Sequence, residues 1–435
     1  MDSLTRRDFL KTATGAAAAS MLAFGRRAVA EDEEIRVAVL GLHGRGQSHI
    51  DAYRGMKGVR IVALCDPDET LHESAAKRVA DAQGQAPELY WDTRKLLESD
   101  SVDVVSIATP NHWHALATIW ACQAGKDVYV EKPCCWCVDE GRKMIRAAEK
   151  YGRVIQVGTQ RRSEGGARNA IARLRRGDIG EVVMARATCF KPRPSIGFQP
   201  ISDPWPGLHY DVWRGPASNL PFHRNYVHYN WHWFWEFGNG DLGNQGVHQM
   251  DMAIWGLNKG LPTYVHSRGG RLGYKDQGET ANTQVCQYEY DDGAQLVFEV
   301  RGLPSAEESG GKIGNQFYGS TGWMAENDGF KSHIGYNDEV KEFEGDLPPA
   351  GGNGNPDPFG NFIEVVRSRK VEDLNAPIQQ GHIGATLCHV GNISLRLRRA
   401  LQFDPASERF VDDDEANEML FRHSNGTSFR IPDKV

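Results

Sequence analysis

Cysteine is scarce in this chain, with eight residues in 435. That is far below the density of a disulfide-stapled scaffold. No apolar run reaches the roughly 18 residues of a membrane-spanning helix. Basic charge is not in excess: 50 Lys+Arg stand against 57 Asp+Glu, a formal net charge of −7. That argues against a nucleic-acid partner. Internal repeats and low-complexity segments are absent. What remains is an ordinary globular composition, 40% apolar and 25% charged. At roughly 150 residues per domain, the length allows two or three domains.

The first thirty residues read as an address. Thr5-Arg6-Arg7-Asp8-Phe9-Leu10-Lys11 leads into a small-residue apolar stretch from Thr12 to Phe24, and Ala28-Val29-Ala30 follows. A charged start, a short apolar run and an A-x-A end make a signal peptide, and the Arg pair makes it twin-arginine type. The expected partner is the twin-arginine export machinery, and the expected location periplasmic or otherwise exported. Without residues 1–30, 45 basic and 55 acidic side chains remain, a net charge of −10. Twin-arginine export carries folded proteins, which suits a chain that must enclose a cofactor first.

Residues 31–157 read as a dinucleotide domain. The apolar run Ile35–Leu40 ends in Gly41-Leu42-His43-Gly44-Arg45-Gly46, and a helical segment follows from Gln47. Strands at 59–64, 102–108 and 127–130 alternate with helices at 73–82 and 114–124, the spacing of a parallel sheet with helices on both faces. A glycine turn between strand and helix aims backbone N–H groups and the positive helix end at a pyrophosphate. The usual pattern is G-x-G-x-x-G. Here His43 holds the middle position, and Gly44 is expected to take over the close approach. Asp66, at the end of the second strand, is placed to accept from the adenosine ribose and to favour NAD over NADP.

Ala108-Thr109-Pro110-Asn111-His112-Trp113-His114, Val130-Glu131-Lys132-Pro133 and the run from Gly238 to Asp251 together resemble the glucose–fructose oxidoreductase / inositol dehydrogenase / MocA (Gfo/Idh/MocA) family, and most closely its exported branch. Asn361-Phe362-Ile363-Glu364 and Gly381-His382 extend the resemblance over nearly the whole mature chain. The resemblance implies an α/β Rossmann domain followed by an α+β domain, residues 158–435, with a large, mainly antiparallel open sheet. It implies NAD(P), and a sugar, cyclitol or sugar derivative as substrate. The family's lysine falls on Lys132 and its histidine on His248. Its aspartate falls on a position occupied here by Asn244. Thr109, Pro110, Asn111 and His114 resemble the family's nicotinamide-ribose loop and join Glu131 and Lys132 among the expected cofactor contacts. A homodimer or homotetramer follows by analogy.

The chemistry suits these residue types. A histidine can take a hydroxyl proton near neutral pH, and a lysine can stabilise the developing alkoxide. Asn244 supplies no charge, so His248 is expected to hold a proton less firmly than in relatives with Asp, unless Asp241 or Asp251 reaches the cleft. The aromatic stretch 226–235 offers flat apolar faces with polar edges, suited to pyranose rings or equally to a core or an interface. Arg162, Tyr229, Trp231, His232, Trp235 and Asp241 are the candidate substrate contacts. Cys134, Cys135 and Cys137 lack zinc spacing, and no metal is expected. Cys137 is expected at the start of the helix 138–151, where a helix dipole can activate a thiol. Two further functions stay open. One is a redox-neutral glycosidase, lyase or epimerase with tightly held NAD; the other is a non-catalytic sugar or NAD sensor.

Overall fold

The computed structural model describes residues 33–308, 311–423, 428–432 and 435. The expected signal segment, 1–30, lies outside them. The central strands of the first sheet are apolar along nearly their whole length. β1 (Ile35–Leu40), β4 (Val104–Ile107) and β5 (Asp127–Val130) are buried apart from half-buried Arg36, as parallel strands sandwiched between helices must be. With β2 (Val59–Cys65), β3 (Glu88–Tyr90) and β6 (Ile155–Val157) they form a parallel sheet in the order β3-β2-β1-β4-β5-β6. The order reverses between β1 and β4, and ligands bind at the carboxyl ends of strands at such a switch.

β7 (Val182–Cys189) opens a second sheet of ten strands. It continues with β8 (Tyr264–Gly270), β9 (Thr283–Glu289), β10 (Gln295–Arg301), β11 (Ile313–Gly319) and β12 (Gly322–Ala325). The short strands β13 (Ser332–Ile334), β14 (Glu339–Lys341), β15 (Leu401–Asp404) and β16 (Arg409–Phe410) complete it. Its order is β14-β13-β12-β11-β7-β10-β9-β8-β15-β16, and the central β7–β10 pair is parallel amid antiparallel neighbours. Burial alternates along β9 and β10, so one face is packed and the other is open. The helices Gly246–Leu257 and Ile378–Leu397 cover the packed face with Phe298, Phe317 and Tyr288.

The helix Pro358–Ser368, started by the Asp357 cap and a proline, packs against the first sheet. Its Phe359, Phe362 and Val366 share a core with Ile35, Val37 and Val39. The helix Asn111–Gln123 starts about a turn before the expected 114. Asn111 and His112, which open it, are polar, and hydrophobic periodicity does not register them. The strands β3, β8 and β13–β16 are short, polar or glycine-containing and escape the sequence pattern for the same reason.

Residues 191–240 are largely loop, with helical turns at Tyr210–Arg214 and Asn230–Trp233. They nevertheless bury a core of their own, including Trp213, Phe222, Tyr226, Trp233 and Phe237. The segment reaches the first domain at the end of β2. His209 N donates to Pro67 O at 2.8 Å, and Glu69 N donates to Gly207 O at 2.9 Å.

Candidate active site

The turn after β1 is built by close approach. At Gly41 φ is +83°, and a Cβ there would lie 2.8 Å from the Ala108 carbonyl carbon. A Cβ on Gly46 would lie 1.8 Å from Gly41 O. No side chain fits at either point. Gly44, also at positive φ, faces open space, leaving its backbone accessible to a ligand. His43 is exposed and stacks flat on His228, with centroids 4.6 Å apart.

Asp66 does more than wait for a ribose. Its Oδ2 accepts from Leu42 N at 2.7 Å and its Oδ1 from Asp68 N at 2.9 Å, so it also ties the glycine turn to the end of β2. Burial pushes its pKa up to about 6, against the pull of those backbone donors.

A cavity of about 460 Å³ runs from this turn to the second domain. Gly41, His43, Gly44, Arg45, Asp66, Thr109, Pro110, Asn111, His114 and Glu131 line it, as do Lys132, Asn244 and His248. Gly46 lies behind the turn, against Gly41 O. Among the described residues, Thr109 Oγ1 is buried with no hydrogen-bond partner, and so is His248 Nδ1. Buried polar atoms rarely stay unpaired. An open glycine backbone, a helix start and two orphaned polar atoms along one crevice fit a dinucleotide and a polar substrate. The first domain would hold NAD along this line.

Lys132 follows β5 and reaches across to the second domain, where Nζ donates to the backbone carbonyl of Asn244 at 2.8 Å. Asn244 therefore holds the lysine through its main chain, a role any residue type there could fill. Burial lowers the Lys132 pKa, while neighbouring Glu131 opposes the shift. Burial of Glu131 would favour its neutral form. The His49 hydrogen bond and the Arg45 charge outweigh this and hold it well below the usual carboxylate range. Its Oε1 accepts from Arg45 Nε at 2.8 Å and Gln160 Nε2 at 3.2 Å.

His248 opens the first turn of Gly246–Leu257 and is half-buried. Burial, reinforced by the Lys132 charge, pushes its pKa down to about 3, so it is neutral at pH 7. Neither aspartate that could have replaced the missing charge faces the cavity. Asp241 is clamped by Arg193 at 2.6 and 3.1 Å. Asp251 is clamped by Arg162 at 2.8 and 2.9 Å.

Of the expected substrate contacts, Tyr229 and Trp231 line the cavity and four lie elsewhere. Arg162 is buried on Asp251, with Trp255 against its guanidinium at 4.8 Å. His232 is buried, with Nδ1 on Tyr229 O at 2.7 Å. Trp235 packs beside Arg396 and accepts from Trp136 Nε1 through its carbonyl. Asp241 serves Arg193. Two ion pairs, a backbone hydrogen bond and a cation–π contact satisfy these side chains, which a sequence pattern does not reveal. His114 lines the cavity with both ring nitrogens facing carbonyls, Pro133 O at 2.7 Å and Thr109 O at 2.8 Å; burial lowers its pKa, so the neutral ring donates to one of the two and ties its helix to that loop. Cys137 does start the helix Val138–Tyr151, but it is buried and makes no side-chain cap. Burial raises its pKa well above the thiol range, the opposite of an activated thiol.

Sequence reading missed Gln160, Lys191, Arg193, His228 and Gln245, all of which line the cavity. Lys191 and Arg193 had a signal: two cations spaced i, i+2 just past the segment that forms β7.

Residues 35–159 match the oxidoreductase family's NAD-binding Rossmann fold, and residues 199–429 match its C-terminal alpha/beta domain. An alpha-N-acetylgalactosaminidase from Shewanella oneidensis is 32% identical over 122 residues, 27% of each chain. A glycosyl hydrolase family 109 protein 1 from Shewanella sp. MR-4 is 31% identical over 122 residues, again 27% of each chain. The chain thus spans about a quarter of the length of these curated relatives. Among solved structures, the WlbA dehydrogenase from Bordetella pertussis, in complex with NADH and UDP-GlcNAcA, aligns with TM-score 0.62 and 19% identity. That alignment covers 86% of this chain and 99% of the other. Aldose-aldose oxidoreductase from Caulobacter crescentus, complexed with glycerol, aligns at 0.61 and 18%, covering 85% and 100%.

Proposed function

Because the chain belongs to the Gfo/Idh/MocA oxidoreductase family, with an NAD-binding first domain, we propose that it oxidises a hydroxyl of a sugar, cyclitol or sugar derivative, or in reverse reduces the corresponding carbonyl. The observation that carries this reading is a convergence of two groups in one cavity. The Lys132 ammonium comes from the first domain, and His248, with an orphaned ring nitrogen, comes from the second. Bound NAD supplies the hydride acceptor. Lys132 uses one of its three donors on Asn244 O, and the others are available to the substrate oxygen. An ammonium there stabilises the alkoxide as charge develops. Neutral His248 accepts the hydroxyl proton, and Glu131, saturated by its partners, keeps an anionic charge beside Lys132. Tyr229 and Trp231 offer faces to a ring.

The test is a sugar and cyclitol panel with NAD, read as NADH formation. Lys132→Met and His248→Ala should each lower turnover by about 10²–10⁴-fold while nucleotide binding persists. Unchanged turnover in both variants would refute the assignment.

A second reading has specific support. The 191–240 segment closes over the crevice beyond Asp66: Asp68 receives His228 at 2.8 Å and Trp205 at 3.2 Å. Such a cover favours NAD that stays bound, as a redox-neutral glycosidase, lyase or epimerase requires, and the family 109 relatives point the same way. Product formed without net NADH, on protein that purifies with NAD, would select this reading. The family's chemistry together with Lys132 and His248 speaks against the non-catalytic alternative. From sequence alone we further propose export through residues 1–30, tested by cell fractionation, and self-association as a dimer or tetramer, tested by light scattering.

A further inference from the structure

We propose that the substrate carries an oxyanion, a carboxylate or a sulfate, and that Lys191 binds it. The inference rests on reading the cavity as a carbohydrate site and specifies which carbohydrates enter it. Its basis is an imbalance of charge. Among the described residues, four cations line the cavity: Arg45, Lys132, Lys191 and Arg193. Arg45 is paired with Glu131 and Arg193 with Asp241. Lys132 is held by a carbonyl.

Lys191, half-buried just past β7, touches an amide oxygen of Gln245 at 3.5 Å. Among the described residues it has no carboxylate partner. It lies close enough to Lys132 for its charge to help lower that lysine's proton affinity. Among the described residues, the carboxylates lining the cavity are Asp66 and Glu131. The first is at the glycine turn, and the second is saturated. Asn244, which also lines the cavity, adds no charge. The substrate end therefore holds, among the described residues, one ammonium with no carboxylate partner, Lys191, beside Lys132, whose charge Glu131 offsets only in part, and a half-buried charge is costly until an opposite charge arrives. Lys132 faces the reacting hydroxyl. Lys191, beside Gln245, is left for a second and charged substituent of the same small molecule. A neutral hexose leaves it uncompensated, whereas a uronic acid or a sulfated sugar does not.

Matched pairs discriminate. Full-length, NAD-loaded protein is titrated calorimetrically with methyl glucoside against methyl glucuronoside, methyl galactoside against methyl galacturonoside, and N-acetylglucosamine against its 6-sulfate. The expected result is at least tenfold tighter binding of one anionic member than of its neutral partner, with a ratio that falls as salt rises. The carboxylate and sulfate arms identify the oxyanion. In Lys191→Met the ratio should collapse to within about twofold, while Lys191→Arg retains it. Melting temperature and NAD content report that both variants are folded. Neutral sugars binding as well as their acidic partners would overturn the oxyanion assignment alone. An anionic preference untouched by Lys191→Met would overturn the role of Lys191. Failure of every sugar to bind would overturn the carbohydrate reading and this inference with it.

Discussion

Replacing Asn244 by Asp tests the electrostatics of the site most directly. In the native chain His248 is pushed down to about 3 by burial and by the Lys132 charge. Gln245, between the two short helical runs, keeps helical backbone angles, so positions 244 and 248 stand about 6 Å apart at Cβ. A unit charge at that distance, in an effective dielectric near 20, interacts by about 3 kcal/mol. That corresponds to ~2 pKa units. His248 should therefore titrate near pH 5 in Asn244→Asp. The same carboxylate should raise the Lys132 pKa, because it favours the charged ammonium. Both limbs of a pH–activity profile move upward. The direct assay is NMR titration of histidine-labelled protein, with His248→Gln identifying the resonance. Wild-type His248 titrating at or above the ordinary value of ~6.5 would refute the reasoning. So would a variant whose His248 stays where it was.

Other consequences follow from the same structure. Gly46→Ala should abolish NAD binding or folding, because the new methyl would meet Gly41 O; circular dichroism and nucleotide retention separate the two outcomes. Arg162→Met leaves the buried Asp251 carboxylate unpaired and should cost about 3–5 kcal/mol of stability, read by denaturant unfolding, whereas a substrate contact would have shown as lost affinity. Acid should destabilise the fold: His112, His232, His248 and His389 are each held near 3 by burial. The unfolded chain therefore binds more protons between about pH 6.5 and 3, and stability falls as pH drops through that window. Asp66, shifted upward to about 6, opposes this between about pH 4 and 6, as do Asp251 and Glu326, also raised by burial, but the four rings act over the wider window. Melting temperatures from pH 7 to 4.5 should decline steadily, and a flat profile would contradict the burial of these rings.

Much of this molecule can be read along the chain, and the reason is local. β1, β4 and β5 are buried on both faces, so they appear as continuous apolar runs. The glycine turn is forced by contacts within a few ångströms of its own backbone, so its residues mark it. Lys132 and His248 sit at element ends, in runs distinctive enough to carry a resemblance. The partners of charged groups are not local. Arg162 and Asp251 are 89 residues apart in sequence and meet in the core, and Arg193 finds Asp241 across 48. Nothing in either neighbourhood distinguishes an arginine that meets substrate from one that meets an aspartate. The aromatic run divides the same way: Tyr229 and Trp231 face the cavity, while Trp233 and Phe234 are core. Composition and spacing settled which groups could do chemistry. Only the folded chain decided which of them were already neutralised, because charge compensation acts through space, between residues brought together by two sheets and a long crossing segment.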